Sequence, residues 1–258
     1  MSEAEAMDIL RQDLPTDTKV ELDIDDDGSG SIRIKATGAI DETRDFDLVA
    51  HRLYPGTMIV TDNGKGLGRH LMRNEIEFFR ACGVKRFNIH AGYEAGGYTW
   101  ARMGFLPDDK DNDYLKKPVR VRYNAVRPLL TDKERQLMDG VVKIRRAKDC
   151  WAVADAPIDI GPRLRTLFNE AANGNERAEA RFGHLLDSID SPGYNDKIRD
   201  YIIERIKAGK SLPLGRYLLS GSDWTGYLDF EDNTQMRRAG RYVGGWALPP
   251  SKPQTSPV

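Results

Sequence analysis

Three glycines fall within Asn63–Gly64–Lys65–Gly66–Leu67–Gly68, and an apolar-periodic run follows without a break. Ahead of the turn, residues 57–61 have strand composition; behind it, Leu71, Met72, Ile76, Phe78 and Phe79 recur at helical spacing. A glycine-rich turn between strand and helix leaves backbone N–H groups at the positive end of a helix dipole. Such a place suits a phosphate or pyrophosphate, and it calls for an α/β arrangement at this point in the chain.

Three other phosphate loops do not fit. A P-loop needs Ser or Thr after its lysine, and Lys65 is followed by Gly66. A dinucleotide fingerprint needs a third glycine where Leu71 stands, and an acid after the next strand, where Asn88–Ile89–His90 stands. A kinase glycine loop joins two strands, whereas this one opens a helix. The remaining pattern is (Gln/Arg)-x-x-Gly-x-(Gly/Ala) at a helix start.

Around the turn, alternation at residues 19–24 and 31–36, separated by Asp25–Asp26–Asp27–Gly28–Ser29–Gly30, predicts a β-hairpin. Asp23, Asp25, Asp27 and Gly28 mimic part of a calcium loop, but the twelfth position is Ile34, not a bidentate Glu. Residues 1–13 read as a short helix or a loose end, and residues 45–53 as a strand. Gly83 suits a left-handed cap after the central helix; residues 84–89 then read as a strand and 96–105 as a short helix ending at Gly104. Residues 119–126 alternate and read as one more strand. Thr131–Asp132–Lys133–Glu134 is a capping box, and 161–172, 176–186 and 195–208 read as helices. The Pro-rich stretch 249–258 reads as a disordered tail.

Composition narrows the classes. The 258 residues carry a net charge of −1, which gives no global field for nucleic acid or anionic lipid. Two cysteines, Cys82 and Cys150, make neither a disulfide framework nor a zinc motif and read as small buried hydrophobes. The four histidines are scattered, so no metal is expected. The acidic start has no signal-peptide pattern and no apolar run is long enough to span a bilayer, so a cytoplasmic protein is expected.

Asn63–Gly64–Lys65–Gly66–Leu67–Gly68–Arg69–His70–Leu71 resembles the acetyl-CoA pyrophosphate loop of the GCN5-related N-acetyltransferases (GNAT). Trp100–Ala101–Arg102–Met103–Gly104–Phe105 is similar to the family's Tyr-Glu-Lys-Leu-Gly-Phe ending, in the expected order. Gly96–Gly97–Tyr98–Thr99–Trp100–Ala101–Arg102, with the later Leu218–Leu219–Ser220–Gly221–Ser222–Asp223–Trp224–Thr225–Gly226–Tyr227–Leu228–Asp229, resembles a narrower GNAT-like subgroup associated with phage and mobile elements. The resemblance covers about a third of the chain. It departs at Asn63, where the family carries Gln or Arg, and at Trp100, where many members carry a Tyr general acid.

The resemblance implies a GNAT-like α/β (α+β) fold: a mixed, mostly antiparallel sheet flanked by helices and splayed near the loop. The core would span 1–125 and a mainly helical accessory region 126–248, with residues 224–228 able to return a strand to the core. It implies acetyl-CoA as co-substrate, held by Asn63, Gly64, Lys65, Gly66, Leu67, Gly68, Arg69 and His70. Transfer to an amine needs a base, and Glu94 and His51 are the candidates; His51 is read on the strand preceding the loop. The leaving thiolate benefits from a proton. Indole does not supply one at neutral pH, so Tyr98, with two glycines opening space before it, and then Tyr93 are the acid candidates. Trp151, Trp224 and Trp246 read as core anchors, and the arginines at 145–146, 237–238 and 241 as solvated helix faces. The expected function is acetyl transfer to a protein or small-molecule amine in a ternary complex. The alternative is a non-catalytic GNAT-like interaction module, virion-associated or host-directed.

Overall fold

The computed structural model describes residues 1–54, 56–60, 66–91, 96–110, 112–189 and 195–245. Helix α1 (Glu3–Arg11) leads into strands β1 (Lys19–Ile24), β2 (Ser29–Ala36), β3 (Ile40–Asp47), β4 (Arg52–Leu53) and β5 (Thr57–Val60). Helix α2 (Leu67–Ala81), strand β6 (Arg86–Ala91), helix α3 (Gly96–Met103) and strand β7 (Leu106–Pro107) follow. The next helices are α4 (Asn112–Val126), α5 (Asp132–Val141), α6 (Asp149–Ala154), α7 (Gly161–Ala172), α8 (Glu176–Asp187), α9 (Asn195–Lys207) and α10 (Leu214–Leu219). Strand β8 (Trp224–Asp229) and helix α11 (Asn233–Val243) come last. The protein is mixed α+β, with mostly antiparallel strand pairing. The tail at 249–258 and Trp246 lie outside the described residues.

Two compact units divide the chain: Met1–Phe87 with the segment from Leu228 onward, and Asn88–Tyr227. Within the second unit α3 packs against α6 and α10, and α4 against α10.

In the first unit, β1, β2 and β3 form an antiparallel meander with Ile32 opposite Arg44 and Ile34 opposite Glu42. The hairpin turn is tied by its own acids, Asp25 and Asp27 accepting from Ser29. Alternation buries Ile32, Ile34, Ala36, Ile40, Glu42, Arg44 and Phe46. Phe46, Phe78, Phe79 and Phe87 stack edge to face, which seats α2 on the strands. Helix α1 is ordered by a Ser2/Glu5 capping box and is tied to α2 by Asn74, whose Nδ2 donates to the carbonyls of Leu10 (3.3 Å) and Gln12 (2.6 Å). Burial pushes the Cys82 thiol up, as expected for a packing residue.

At the centre of this unit lies a charged cluster that sequence reading did not anticipate. Arg44 Nη2 donates to Glu42 Oε1 at 2.5 Å, and Nε donates to Glu75 Oε1 at 2.8 Å. Its guanidinium sits 4.7 Å from the Phe87 ring centroid. Arg44 is 2% exposed and both carboxylates are fully buried. Desolvation and the Glu75 charge push Glu42 well above its ordinary value, against the pull of Arg44. A protonated Glu42 gives its Oε2, which otherwise has no partner, a proton to share with Glu75. One cation and one anion then remain buried.

The second unit is mainly helical. Residues 119–126, read above as a strand, belong to α4: burial falls on Leu115, Val119, Arg122, Tyr123 and Val126, a 3.6-residue period, while Val121 is exposed. The apparent alternation misled because Arg122 is an inward residue. Its Nη1 donates to the Leu218 carbonyl at 2.9 Å and its Nη2 to that of Ile189 at 3.4 Å, at the C-terminal ends of α10 and α8. Negative helix ends thus compensate a cation whose pKa burial lowers to about 10. The predicted capping box at Thr131 is present, and its Glu134 also takes a two-pronged bond from Arg163 (2.7 and 2.9 Å) that holds its carboxyl down at about 2.

Replacing Arg44 by Met is expected to destabilise the protein by about 3–5 kcal/mol in urea unfolding, because two carboxyls lose their buried partner. Glu42 has a raised folded pKa. Its stabilising contribution is therefore full below its ordinary value of 4.5 and is lost as pH rises toward the folded value. Glu42→Gln, which carries the same hydrogen-bonding groups without titrating, should gain stability relative to wild type as pH rises above 4.5. A constant difference across that range would contradict the assignment.

Candidate functional site

The glycine-rich turn opens α2 in the first unit, as its sequence suggests. Gly66 is the N-cap, with φ 82° and ψ 3°, a left-handed conformation that glycine adopts without a Cβ clash. It offers no side-chain cap, and no acid occupies the first helical turn. The Arg69 and His70 amides bond back to the Gly66 carbonyl at 2.8 and 3.2 Å, so the leading amides are those of Leu67 and Gly68. The first turn instead presents the cation Arg69, which the positive helix end does not favour, beside His70. Arg69 lies over the Tyr242 ring at 5.3 Å, and Asp13 accepts from Arg73 at 2.6 Å with its Oδ2 3.8 Å from His70 Nδ1. Gly66, Leu67, Gly68, Arg69 and His70 are thus gathered in one turn; Asn63, Gly64 and Lys65 lie outside the described residues.

Strand β3 pairs with two strands ahead of this turn: Phe46 with Leu53 of β4, and Thr43 with Thr57 of β5. The parallel pairing of β4 with β6 covers Arg52↔Arg86 and Leu53↔Phe87, whereas β5 pairs with β3.

His51 is not on the strand. It occupies the turn before β4 with φ 53°, exposed and beside Gly83 at the C-terminal end of α2. The helix separates it from Gly66 by ~22 Å at 1.5 Å per residue. Tyr93 and Glu94 fall outside the described residues.

In the second unit, the two segments that carry the narrower resemblance meet. A Cβ on Gly97 would overlap Ser222 Oγ and the Leu219 carbonyl oxygen and lie 3.1 Å from Trp224 Nε1. The Gly96–Gly97 pair therefore does not open space for a ligand at Gly97; it lets α3 close on the turn before β8. Tyr98 is 7% exposed, accepts from Arg102 Nη1 at 3.2 Å, and lies between the guanidiniums of Arg102 and Arg216, 5.8 and 5.7 Å from its ring centroid. Trp100 is a core residue, 5.0 Å from the Phe105 ring, while Trp151 Nε1 donates to the Phe105 carbonyl at 2.9 Å.

The same turn brings together a pair that sequence reading missed: His90 Nε2 lies 2.6 Å from Asp223 Oδ1. His90 is on the outward face of β6, where Phe87, Ile89 and Ala91 alternate inward, and both partners are partly exposed. An imidazole with one nitrogen against a carboxylate and the other able to take a proton can serve as a base. No sequence spacing signals it, because 133 positions separate the two residues (223 − 90). Among the described residues no group of three His, Cys, Asp or Glu could hold a metal ion, and no described helix is long and apolar enough to cross a membrane.

No family model, curated protein or solved structure matches the chain.

The packing role of Gly97 yields a test. Gly97→Ala should lower thermal stability by about 1–3 kcal/mol through overpacking. Ser222→Ala alone does not relieve it, since the Leu219 carbonyl stands in the same place. An unchanged melting temperature for Gly97→Ala would refute this contact.

Proposed function

We propose that the protein transfers an acyl group from an acyl-CoA, acetyl-CoA in the first instance, to an amine of a protein or small molecule. The observation that carries this reading is the Gly66 turn: a left-handed glycine, no capping side chain, no acid and two leading amides at the start of helix α2. That terminus supplies the donors a pyrophosphate needs, with Arg69 adding positive charge. The GNAT-like motifs in the sequence support the same reading.

The transfer makes two demands of the chain: a base that frees the acceptor amine of its proton, and a donor that returns a proton to the leaving thiolate. The amine attacks the thioester carbonyl, the C–N bond forms, the tetrahedral centre collapses, and the C–S bond breaks. Direct attack in a ternary complex uses no covalent enzyme intermediate.

A non-catalytic interaction module, virion-associated or host-directed, is the second reading. It is favoured by Trp100, buried in the core where many GNAT enzymes carry their acid.

Titration calorimetry separates the two. Wild type is expected to bind acetyl-CoA with a micromolar dissociation constant, and Gly68→Glu to lose binding, because a side chain and a negative charge would stand against the pyrophosphate. Folded wild type that binds no acetyl-CoA excludes the enzyme reading.

A further inference from the structure

In the first unit, helix α1, strand β1, the loop at Leu48 and the C-terminal end of α2 surround a cavity of about 450 Å³. Ala6 and Phe78, both buried, line it together with half-buried Leu22 and Leu48. Met1 and Ile24 on the same lining are 56% and 48% exposed, so apolar surface is left open to solvent here. The charged lining is mostly of one sign. Glu3 from α1 and Asp23 from β1 both border the cavity, and neither carboxylate has a hydrogen-bond or ion-pair partner among the described residues. No Lys, Arg or His lines it, and the Met1 amine is its one positive group. The Cys82 thiol, pushed up by burial, stays uncharged, and the last turn of α2 adds the negative end of a helix dipole at Ala81.

We propose that this cavity binds a small apolar amine, its hydrocarbon body against Phe78, Leu22 and Leu48 and its ammonium taken by Glu3 and Asp23. The volume is that of a small-molecule site, in which apolar walls supply the contact area and a few polar groups fix orientation. Two unpartnered carboxylates beside apolar walls complement a cation that carries apolar surface, and they oppose a fatty acid or a nucleotide. The cavity lies at the end of α2 opposite Gly66. It is therefore separate from the acyl-donor turn, and the proposal stands independently of the acyl-CoA reading.

NMR titration of the full chain with hexylammonium, hexanol and hexanoate tests this. Hexylammonium should shift the resonances of Ala6, Leu22, Phe78 and Ala81 saturably. It should bind at least about 10-fold more tightly than hexanol, the scale of one charge-assisted contact, and hexanoate should give no saturable shift. In Glu3→Gln/Asp23→Asn, both at exposed positions, the preference for hexylammonium should fall to within about 2-fold with hexanol affinity kept. Ala81→Trp, at an exposed helix position, should fill the opening and weaken both probes by at least about 10-fold. Cys82 gives a second readout, since Cys150 is fully buried. Hexylammonium at about ten times its dissociation constant should slow alkylation of Cys82 by iodoacetamide by about 10-fold. Equal affinity for hexylammonium and hexanol, hexanoate binding as tight as hexylammonium, a preference that survives the double substitution, or no binding of any probe overturns the proposal.

Discussion

Arg44 joins three elements that are far apart in the chain. Its guanidinium is bonded to Glu42 on its own strand β3 and to Glu75 on α2, and it lies over Phe87 at the start of β6. A charge buried this deeply is tolerated only with partners on several sides, so the cluster permits few alternative placements of α2 on the sheet. The aromatic group of Phe46, Phe78, Phe79 and Phe87 supplies apolar burial around it. Once α2 is seated in this way, Gly66 necessarily lies at one end of the helix and His51 at the other.

The second unit uses the same device in a different form. Arg122 has no carboxylate among its described partners and instead meets carbonyls at the ends of two helices. Around the turn that follows α10, Leu219, Ser222 and Trp224 press on Gly97, and Asp223 turns outward to His90. The turn that closes on α3 therefore also carries the carboxylate that lies 2.6 Å from a histidine more than 130 positions earlier. In this chain Gly97 is the packing partner of Leu219, Ser222 and Trp224.

Charge around the α2 terminus is arranged against the usual preference. Helix starts favour acids and side-chain caps, as α1 and α5 show with their Ser2/Glu5 and Thr131/Glu134 boxes. Helix α2 has neither, as is also true of α7 and α10, and its first turn carries Arg69, which lies over Tyr242 of α11.

Periodicity and turn chemistry by themselves determined most of the local structure: the 19–36 hairpin, the helix after Gly66 with its cap at Gly83, the capping box at Thr131, and α7, α8 and α9 to within a residue. These features are set by neighbours within a few positions, which sequence displays directly. Residues 119–126 show where that reading stops: Arg122 looks like the outward member of an alternating strand until the carbonyls of Leu218 and Ile189 make it an inward member of a helix. The glycine turn was legible because its chemistry is backbone chemistry and contiguous. The His90–Asp223 pair, the displacement of His51 to the far end of α2, the packing role of Gly97 and the Arg44 cluster were decided only by the tertiary structure. Each depends on which distant segments come within a few ångströms of one another, and no local pattern encodes that.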